Sequence, residues 1–599
     1  MVIDPSARSR RSPTGHLKSR HGCKTCKIRK VKCGEEKPHC IRCTSTGRKC
    51  EYDGSVSILD NPLSLAPNTV WRERRSFAYY FQHAATLVGG ELDVDFWSTI
   101  VPQVCRSEPA VWDAIIAISA LFESPDPCPD LVPISHEHSR ALNQNHRDAL
   151  YWYSRSVSAI RQRIEDGRLN IFVGLITCIL FMCIEALQGS VEDAIHLYSQ
   201  GVRLILDSRA QMVAGILSFA EASLIEDTIV PIFIRLGAIA LPVSGFPVHA
   251  LLGDTDHELI QELVSLKSAR EALVLLGVKI TLLQHMCDEY RRTIHTSTVP
   301  QELINKQTIL SAGLRDWLSA YTKLMDSLRT KEVLTQRQMG ISALLFTYHE
   351  VLFIITETCL SPSQIITDSY IPNFRNIVEH TSISLDALAR SDGTQPPFTF
   401  EINVGYPLWF TCLRCRDPKI RRTSLALLRR APQLQGLHKS HSAVSFGERV
   451  MVLEERYGMA MKAAQEAIAS TTPEPTNGPT NEISEYQSPS RTMINDVSKF
   501  DLGEFFAIPE SEFTASQYPT LMDLDISDPT AALIPEEARL GPIHMFRPRD
   551  GFPPGTSEED IAKWNRRDDQ VFLRFTWTER DVVNDTWHII HEYIPIAAP

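Results

Sequence analysis

Six cysteines between residues 23 and 50 carry the densest chemistry in this chain: Cys23, Cys26, Cys33, Cys40, Cys43 and Cys50. Two residues separate the first pair, then six, six, two and six separate the rest, so the unit Cys-x2-Cys-x6-Cys occurs twice, displaced by seventeen positions. Clustered thiolates are zinc ligands. One tetrahedral zinc would leave two of the six sulfurs unused; two tetrahedral zincs need more ligand positions than six sulfurs supply, so two sulfurs must bridge. The repeat gives each triad three ligands and makes its equivalent leading cysteines, Cys23 and Cys40, the natural bridges. So short a stretch buries little apolar surface, and metal supplies most of its folding free energy.

The two halves differ between their second and third cysteines. The first half reads Lys27-Ile28-Arg29-Lys30-Val31-Lys32, expected as a short helix with four cations. The second reads Thr44-Ser45-Thr46-Gly47-Arg48-Lys49 and has the look of a structural loop. A metal-held basic helix fits the major groove, where Arg or Lys meets the O6 and N7 acceptors of guanine and further cations meet phosphates. Net charge follows the same division. The whole chain is −11, yet residues 1–53 hold fourteen Lys and Arg against five Asp and Glu. A basic head on an acidic body points to double-stranded nucleic acid as a partner for the head alone.

The other eight cysteines, among them Cys178, Cys183, Cys287, Cys359, Cys412 and Cys415, are scattered, several in apolar runs, and read as small buried hydrophobes. The basic, polar N-terminus shows no signal peptide, so a reducing compartment is expected, where clustered thiols favour metal over disulfide. The most apolar run, 171–187, has a charge-free core of only fourteen residues and reads as a buried helix, with no membrane partner expected.

The elements that must carry this head are mostly α-helical. Residues 1–20 are expected to be a disordered basic arm, residues 21–53 the two-zinc domain, and residues 54–70 a linker. Residues 71–470 show apolar positions at i, i+3, i+4 spacing in runs such as 112–122, 149–164, 191–206, 271–286, 308–328, 341–358, 376–390 and 446–468, giving a large all-helical domain. Residues 471–540 open with a Pro-, Thr-rich stretch and are expected to be disordered. Within them, 493–530 alternate acids and aromatics, like an amphipathic activation segment. Residues 541–599 form an extension of unassigned role, with two strand-like runs at 574–579 and 587–594. No sustained apolar heptads follow Cys50, so any homodimer would form through the helical domain.

At this point a resemblance is plain. Residues 23–50 resemble the binuclear zinc cluster of fungal transcription factors, the six-cysteine family that reads CGG-type triplets, and its spacing pattern is met in full. The resemblance implies two Zn²⁺ ions on the six cysteines, with the first and fourth bridging. It also implies a basic helix after the second cysteine, in which Lys30 contacts guanines while Arg29, Lys27 and Lys32 meet phosphates. His21 stands where family members often carry a phosphate contact, and Pro38 fits the loop before the fourth cysteine. Runs at 71–83, 107–116, 194–205 and 409–422 are similar to the fungal-specific transcription factor domain. The implied protein is a nuclear, sequence-specific regulator of RNA polymerase II genes that recruits coactivators. The alternative is a protein-interaction or regulatory scaffold in which the cluster is only a structural staple. An enzyme is not expected: the chain has no HExxH, GxSxG, P-loop or GxGxxG, and Cys412 and Cys415 form a CxxC with no second pair nearby.

Overall fold

The structure is a computed structural model. It describes residues 22–35, 39–50, 71–124, 143–240, 247–252, 263–293, 299–331, 334–401 and, with short gaps, 403–458 and 534–595. The basic arm 1–20, His21, Pro38, the linker 54–70 and the acidic–aromatic segment 493–530 lie outside the described residues. The chain divides into two compact units, Met1–Ala66 and Pro67–Pro599.

The first unit contains two short helices, α1 (Lys24–Ile28) and α2 (Ile41–Thr44), each opening on the leading cysteine of its triad. Its buried interior is the six cysteines, with Val31 packed against them.

The second unit is helical, as its apolar periodicity requires. It begins with α3 (Trp71–Tyr79), α4 (Ala85–Gly89), α5 (Val101–Val104), α6 (Pro109–Glu123), α7 (Gln144–Glu165), α8 (Ile171–Leu187) and α9 (Val191–Val213). It continues with α10 (Phe219–Thr228), α11 (Val230–Ala240), α12 (Leu266–Thr293), α13 (Gln301–Lys331), α14 (Gln336–Thr358), α15 (Ile371–Leu388), α16 (Gly405–Arg414) and α17 (Pro418–Arg430). Starts follow local chemistry. Asn170 accepts from the Phe172 and Val173 amides, and Thr335 with Gln338 forms a reciprocal capping box. Asp417 caps α17 ahead of Pro418, whose missing N–H costs nothing at that position.

Helix α8 is buried along nearly its whole length against α6 and α9, as expected of the apolar run 171–187. Among the described residues one helix, α14, is long and apolar enough to cross a membrane. It is 72% buried in its most apolar window, packing between α12, α13 and α15 as a core helix. A large core runs through α12 to α17, centred on Leu276, Leu314, Trp317, Leu345, Ile354, Ile377 and Leu408.

Two buried ion clusters tie distant parts of this unit together. Asp93 accepts from Arg270 at 2.9 and 3.1 Å and pairs with Arg235, while Arg270 also pairs with Glu401. Glu454 accepts from Arg416 at 2.8 Å, and Arg421 Nη2 lies 2.6 Å from its other oxygen. Neighbouring guanidinium charges hold both the Asp93 and the Glu454 carboxyls below their ordinary values against the cost of burial.

Strands are few. β1 (Phe398–Thr399) pairs parallel with β2 (Leu434–Gln435), which pairs antiparallel with β3 (His438–Lys439). The extension 541–599 forms a sheet ordered β4 (His544–Phe546), β5 (Phe572–Asp581), β6 (Thr586–Pro595), all antiparallel, with Trp577 opposite Ile590. One sequence expectation is corrected here. Residues 534–540, placed at the end of a disordered stretch, pack into the helical unit: Ala538 is fully buried, and Arg539 and Leu540 nearly so. Glu536 accepts from the Gln364 and Ile365 amides at 2.8 and 2.9 Å, and Arg539 grips Asp368 at 2.9 and 2.5 Å. Charge-assisted bonds to a helical N-terminus and a carboxylate fix a segment whose apolar content alone would not.

Candidate metal centre and nucleic-acid interface

The cysteine repeat folds as a repeat. Cys23 donates its backbone N–H to Cys33 Sγ at 3.3 Å, and seventeen positions later Cys40 donates to Cys50 Sγ at the same distance. The Cys26 amide donates to Cys23 Sγ at 3.3 Å, whereas the Cys43 amide donates to the Cys40 carbonyl oxygen at 2.9 Å. Across the two triads, Cys23 Sγ lies 3.7 Å from both Cys40 and Cys43, and Cys26 Sγ lies 3.7 Å from Cys40 and 3.8 Å from Cys43. Sulfurs about 2.3 Å from a tetrahedral zinc stand roughly 3.8 Å apart, so these spacings are those of a zinc–sulfur tetrahedron edge. Cys23, Cys26, Cys40 and Cys43 thus form one group in which each sulfur is in reach of sulfurs from the other triad. Cys33 and Cys50 join this group through the Cys23 and Cys40 amides and share its buried interior.

Charge distribution within the cluster agrees with this arrangement. Burial opposes ionisation at Cys40, but the Cys43 N–H and the surrounding thiols outweigh it and bring the thiol down to about 6. Cys23 is likewise held below its ordinary value, against burial, by the Cys26 N–H and neighbouring thiols. Cys26 and Cys43 are pushed up by burial and by the thiolate neighbours they donate to, and burial takes Cys50 up to about 12. Cys23 and Cys40 are therefore the sulfurs most readily present as thiolate. The donor set, six buried thiols gathered in one interior, fits two zinc ions.

The sequence expectation for the basic helix needs correction. The helix does not run between Cys26 and Cys33: α1 begins at Lys24, before the second cysteine, and ends at Ile28. Cys23 Sγ accepts the Cys26 amide, and this cap sets the helix start ahead of Cys26. Its end is a Schellman motif, with Lys30 N donating to Lys27 O at 3.1 Å and Val31 N to Cys26 O at 3.1 Å. The left-handed residue of that motif is Lys30, at φ +54°. In the second half Gly47 donates to Thr44 O and Arg48 to Cys43 O in the same pattern, and Gly47 holds the equivalent position at φ +61°. Glycine occupies this conformation without strain, whereas a side-chain-bearing residue is held there at a cost of about 1 kcal/mol.

Lys27, Lys30 and Lys32 are exposed, and Arg29 is half-buried, so Arg29 offers the least of its charge to a partner. The sequence reading passed over Lys24 and Ile28. Both are exposed on α1, with Lys24 one turn from Lys27 on the same face. The cap geometry that starts the helix early was the missing signal. The halves are tied by Thr25 Oγ1, which donates to Lys49 O at 2.7 Å.

Residues 21–57 match the family model described as the fungal Zn(2)-Cys(6) binuclear cluster domain. This part of the chain is such a domain, a module of two zinc ions and six cysteines. The aspercryptin biosynthesis cluster-specific transcription regulator atnN of Emericella nidulans is 28% identical over 263 residues, 38% of this chain and 40% of that protein. The Zn(2)-C6 fungal-type transcription factor afumD of Aspergillus fumigatus is 32% identical over 149 residues, 22% of this chain and 40% of that protein. Sterol uptake control protein 2 of Candida albicans is 41% identical over 71 residues, 11% of this chain and 10% of that protein. The chain thus spans about two-fifths of the first two relatives and a tenth of the third. These relatives are named as regulators, and an enzyme is not expected. No solved structure matches the chain.

Proposed function

We propose that this protein is a sequence-specific DNA-binding transcription factor that regulates RNA polymerase II genes from the nucleus. Its two-zinc cluster reads CGG-type triplets in the major groove. The observation that carries this reading is the asymmetry of an otherwise repeated cluster. Where the second half keeps glycine at the left-handed turn, the first half holds Lys30 there, exposed and strained. A strained residue persists when its surroundings over-determine it and its position is useful. On this reading all six cysteines ligate zinc, with Cys23 and Cys40 bridging. Lys30 meets guanine O6 and N7, Lys27 and Lys32 meet phosphates, Arg29 contributes less, and His21 adds a phosphate contact from outside the described residues. Lys24 joins the phosphate-facing side.

The helical unit, on the same reading, is a regulatory domain like the fungal-specific transcription factor domain. It is the part through which a homodimer would form, with segment 493–530 recruiting coactivators. Segment boundaries at 20, 53, 70, 470 and 540 belong to this proposal.

The test is selection of bound duplexes from a random pool by the full-length, zinc-loaded protein. Enrichment of CGG-type triplets is expected. Lys30→Ala should weaken the selected site by about 1–3 kcal/mol while leaving random DNA much less affected. A pool that stays random would leave the scaffold alternative standing, and equal losses on both DNAs would reduce Lys30 to a phosphate contact.

A further inference from the structure

A cleft in the helical unit opens between chain segments distant in sequence. One side is lined by Tyr79 at the end of α3 and by Phe122 and Glu123 at the end of α6. The other is lined by Arg390 and Pro396 after α15 and by Arg430 and Pro432 at the end of α17. Its volume is about 340 Å³, within the roughly 300–1,000 Å³ of small-molecule sites.

Two kinds of surface meet there. Phe122, Pro396 and Pro432 are buried, so the apolar part of the lining is firmly held. The charged part is Arg390, Arg430 and Glu123. Two of these three are already matched: Glu123 pairs with Arg75, and Arg430 Nη2 donates to Asp386 at 2.6 Å. Arg390 is not. Its Nε is buried without a hydrogen-bond partner, and no carboxylate among the described residues pairs with its guanidinium.

The turn that presents Arg390 keeps it so. Asp392, the nearest acid in sequence, accepts instead from the Thr394 amide at 2.9 Å and the Thr394 hydroxyl at 2.6 Å. The Arg390 N–H donates to Thr394 O at 2.8 Å, and its carbonyl accepts from the Gly393 amide at 2.9 Å. Gly393 takes the left-handed conformation, φ +81°, inside this turn. An arginine held in this way, with donors unused and a buried N–H unmet, carries a cost that an acceptor in the cleft relieves.

We infer that this cleft binds a small organic acid with a flat apolar body. The carboxylate meets the planar fork of the Arg390 guanidinium, and the body lies against Phe122 and the prolines. Exposed Arg430 adds attraction for the same charge, reduced by its bond to Asp386. The apolar lining selects an aryl acid over a bare inorganic anion. Every lining residue belongs to the helical unit, and a ligand so placed links α3 and α6 to the ends of α15 and α17.

The full-length, zinc-loaded protein is titrated calorimetrically with benzoate, phenylacetate and cinnamate, and with the corresponding amides and inorganic phosphate as comparisons. At least one of the acids should saturate a single site, with its amide and phosphate weaker by at least about tenfold. Arg390→Gln should weaken that acid by a similar factor, and Arg430→Gln by less. Hydrogen exchange at the Gly393 and Thr394 amides should slow when the acid is bound. Absence of saturable binding by all three acids overturns the inference. So does equal binding of phosphate or of the amide, or unchanged binding by Arg390→Gln. The comparison of acid with amide uses wild-type protein, so it requires no variant to fold.

Discussion

The two units solve the same problem with opposite means. In the helical unit, apolar side chains from α12 to α17 form a continuous core, and buried charges such as Asp93, Glu350 and Glu454 are held by partners. In the N-terminal unit the buried interior is six sulfurs and part of a valine, while Ile28 and Ile41 face outward, 74% and 64% exposed. A chain this short has no apolar area to spare, so metal replaces the core and the surface is free to be basic. Stability that comes from ligand bonds can also carry a strained turn at Lys30, which a marginal apolar core of the same size would hold less firmly.

Removing metal should break this contrast most sharply. Chelation of zinc is expected to abolish ordered structure in residues 22–50 and all specific DNA binding, while the unfolding transition of the helical unit stays where it was. Region-resolved hydrogen exchange checks this, and protected amides in 22–50 without zinc would contradict it.

Next in size is Glu454→Gln. It leaves the buried Arg416 and Arg421 guanidinium groups without their counter-charge and is expected to destabilise the helical unit by about 3–5 kcal/mol. Urea unfolding reads the loss, and metal analysis should still find two zinc ions.

A smaller effect is expected with acid. The folded Asp93 and Glu454 carboxyls lie below their ordinary values of 3.8 and 4.5, so the stability they contribute is complete above those values and is lost as pH falls through the folded ones. Unfolding of the helical unit between about pH 5 and pH 2 should therefore be steep in wild type and shallower in Glu454→Gln.

The smallest change is at the repeated turn. Gly47→Ala should cost the zinc-loaded cluster about 1 kcal/mol without altering the preferred DNA site. Lys30→Gly should return a similar amount of stability and lose the site. Zinc-competition titration and duplex binding measure the two, and a Gly47→Ala variant with changed site preference would erase the functional distinction between the halves.

What was legible in the sequence follows from the range of the interaction. Ligand spacing is local, so the six cysteines announced a two-zinc cluster before any geometry was known. Apolar periodicity is local too, and the run 171–187 appears as α8 with those limits. The strand-like runs at 574–579 and 587–594 lie within β5 and β6. The start of α1 was misplaced by three residues because a cysteine thiol acts as its cap, a role usually taken by Ser, Thr, Asp or Asn. The buried charges were hidden for another reason. Arg270 meets Asp93 across 177 positions and Glu401 across 131, and an isolated Asp, Glu or Arg in a sequence reads as surface. The burial of 534–540 was missed likewise, because Glu536 and Arg539 are held by partners more than 170 positions away.

The amide of Leu540 donates to Glu454 Oε1 at 2.8 Å, the same oxygen that accepts from Arg416. Two parts of the chain 86 positions apart therefore meet at a single carboxylate. A pull on Leu540 is taken up at Glu454 and passed straight to the buried guanidinium groups of Arg416 and Arg421, so this one side chain acts as a rivet.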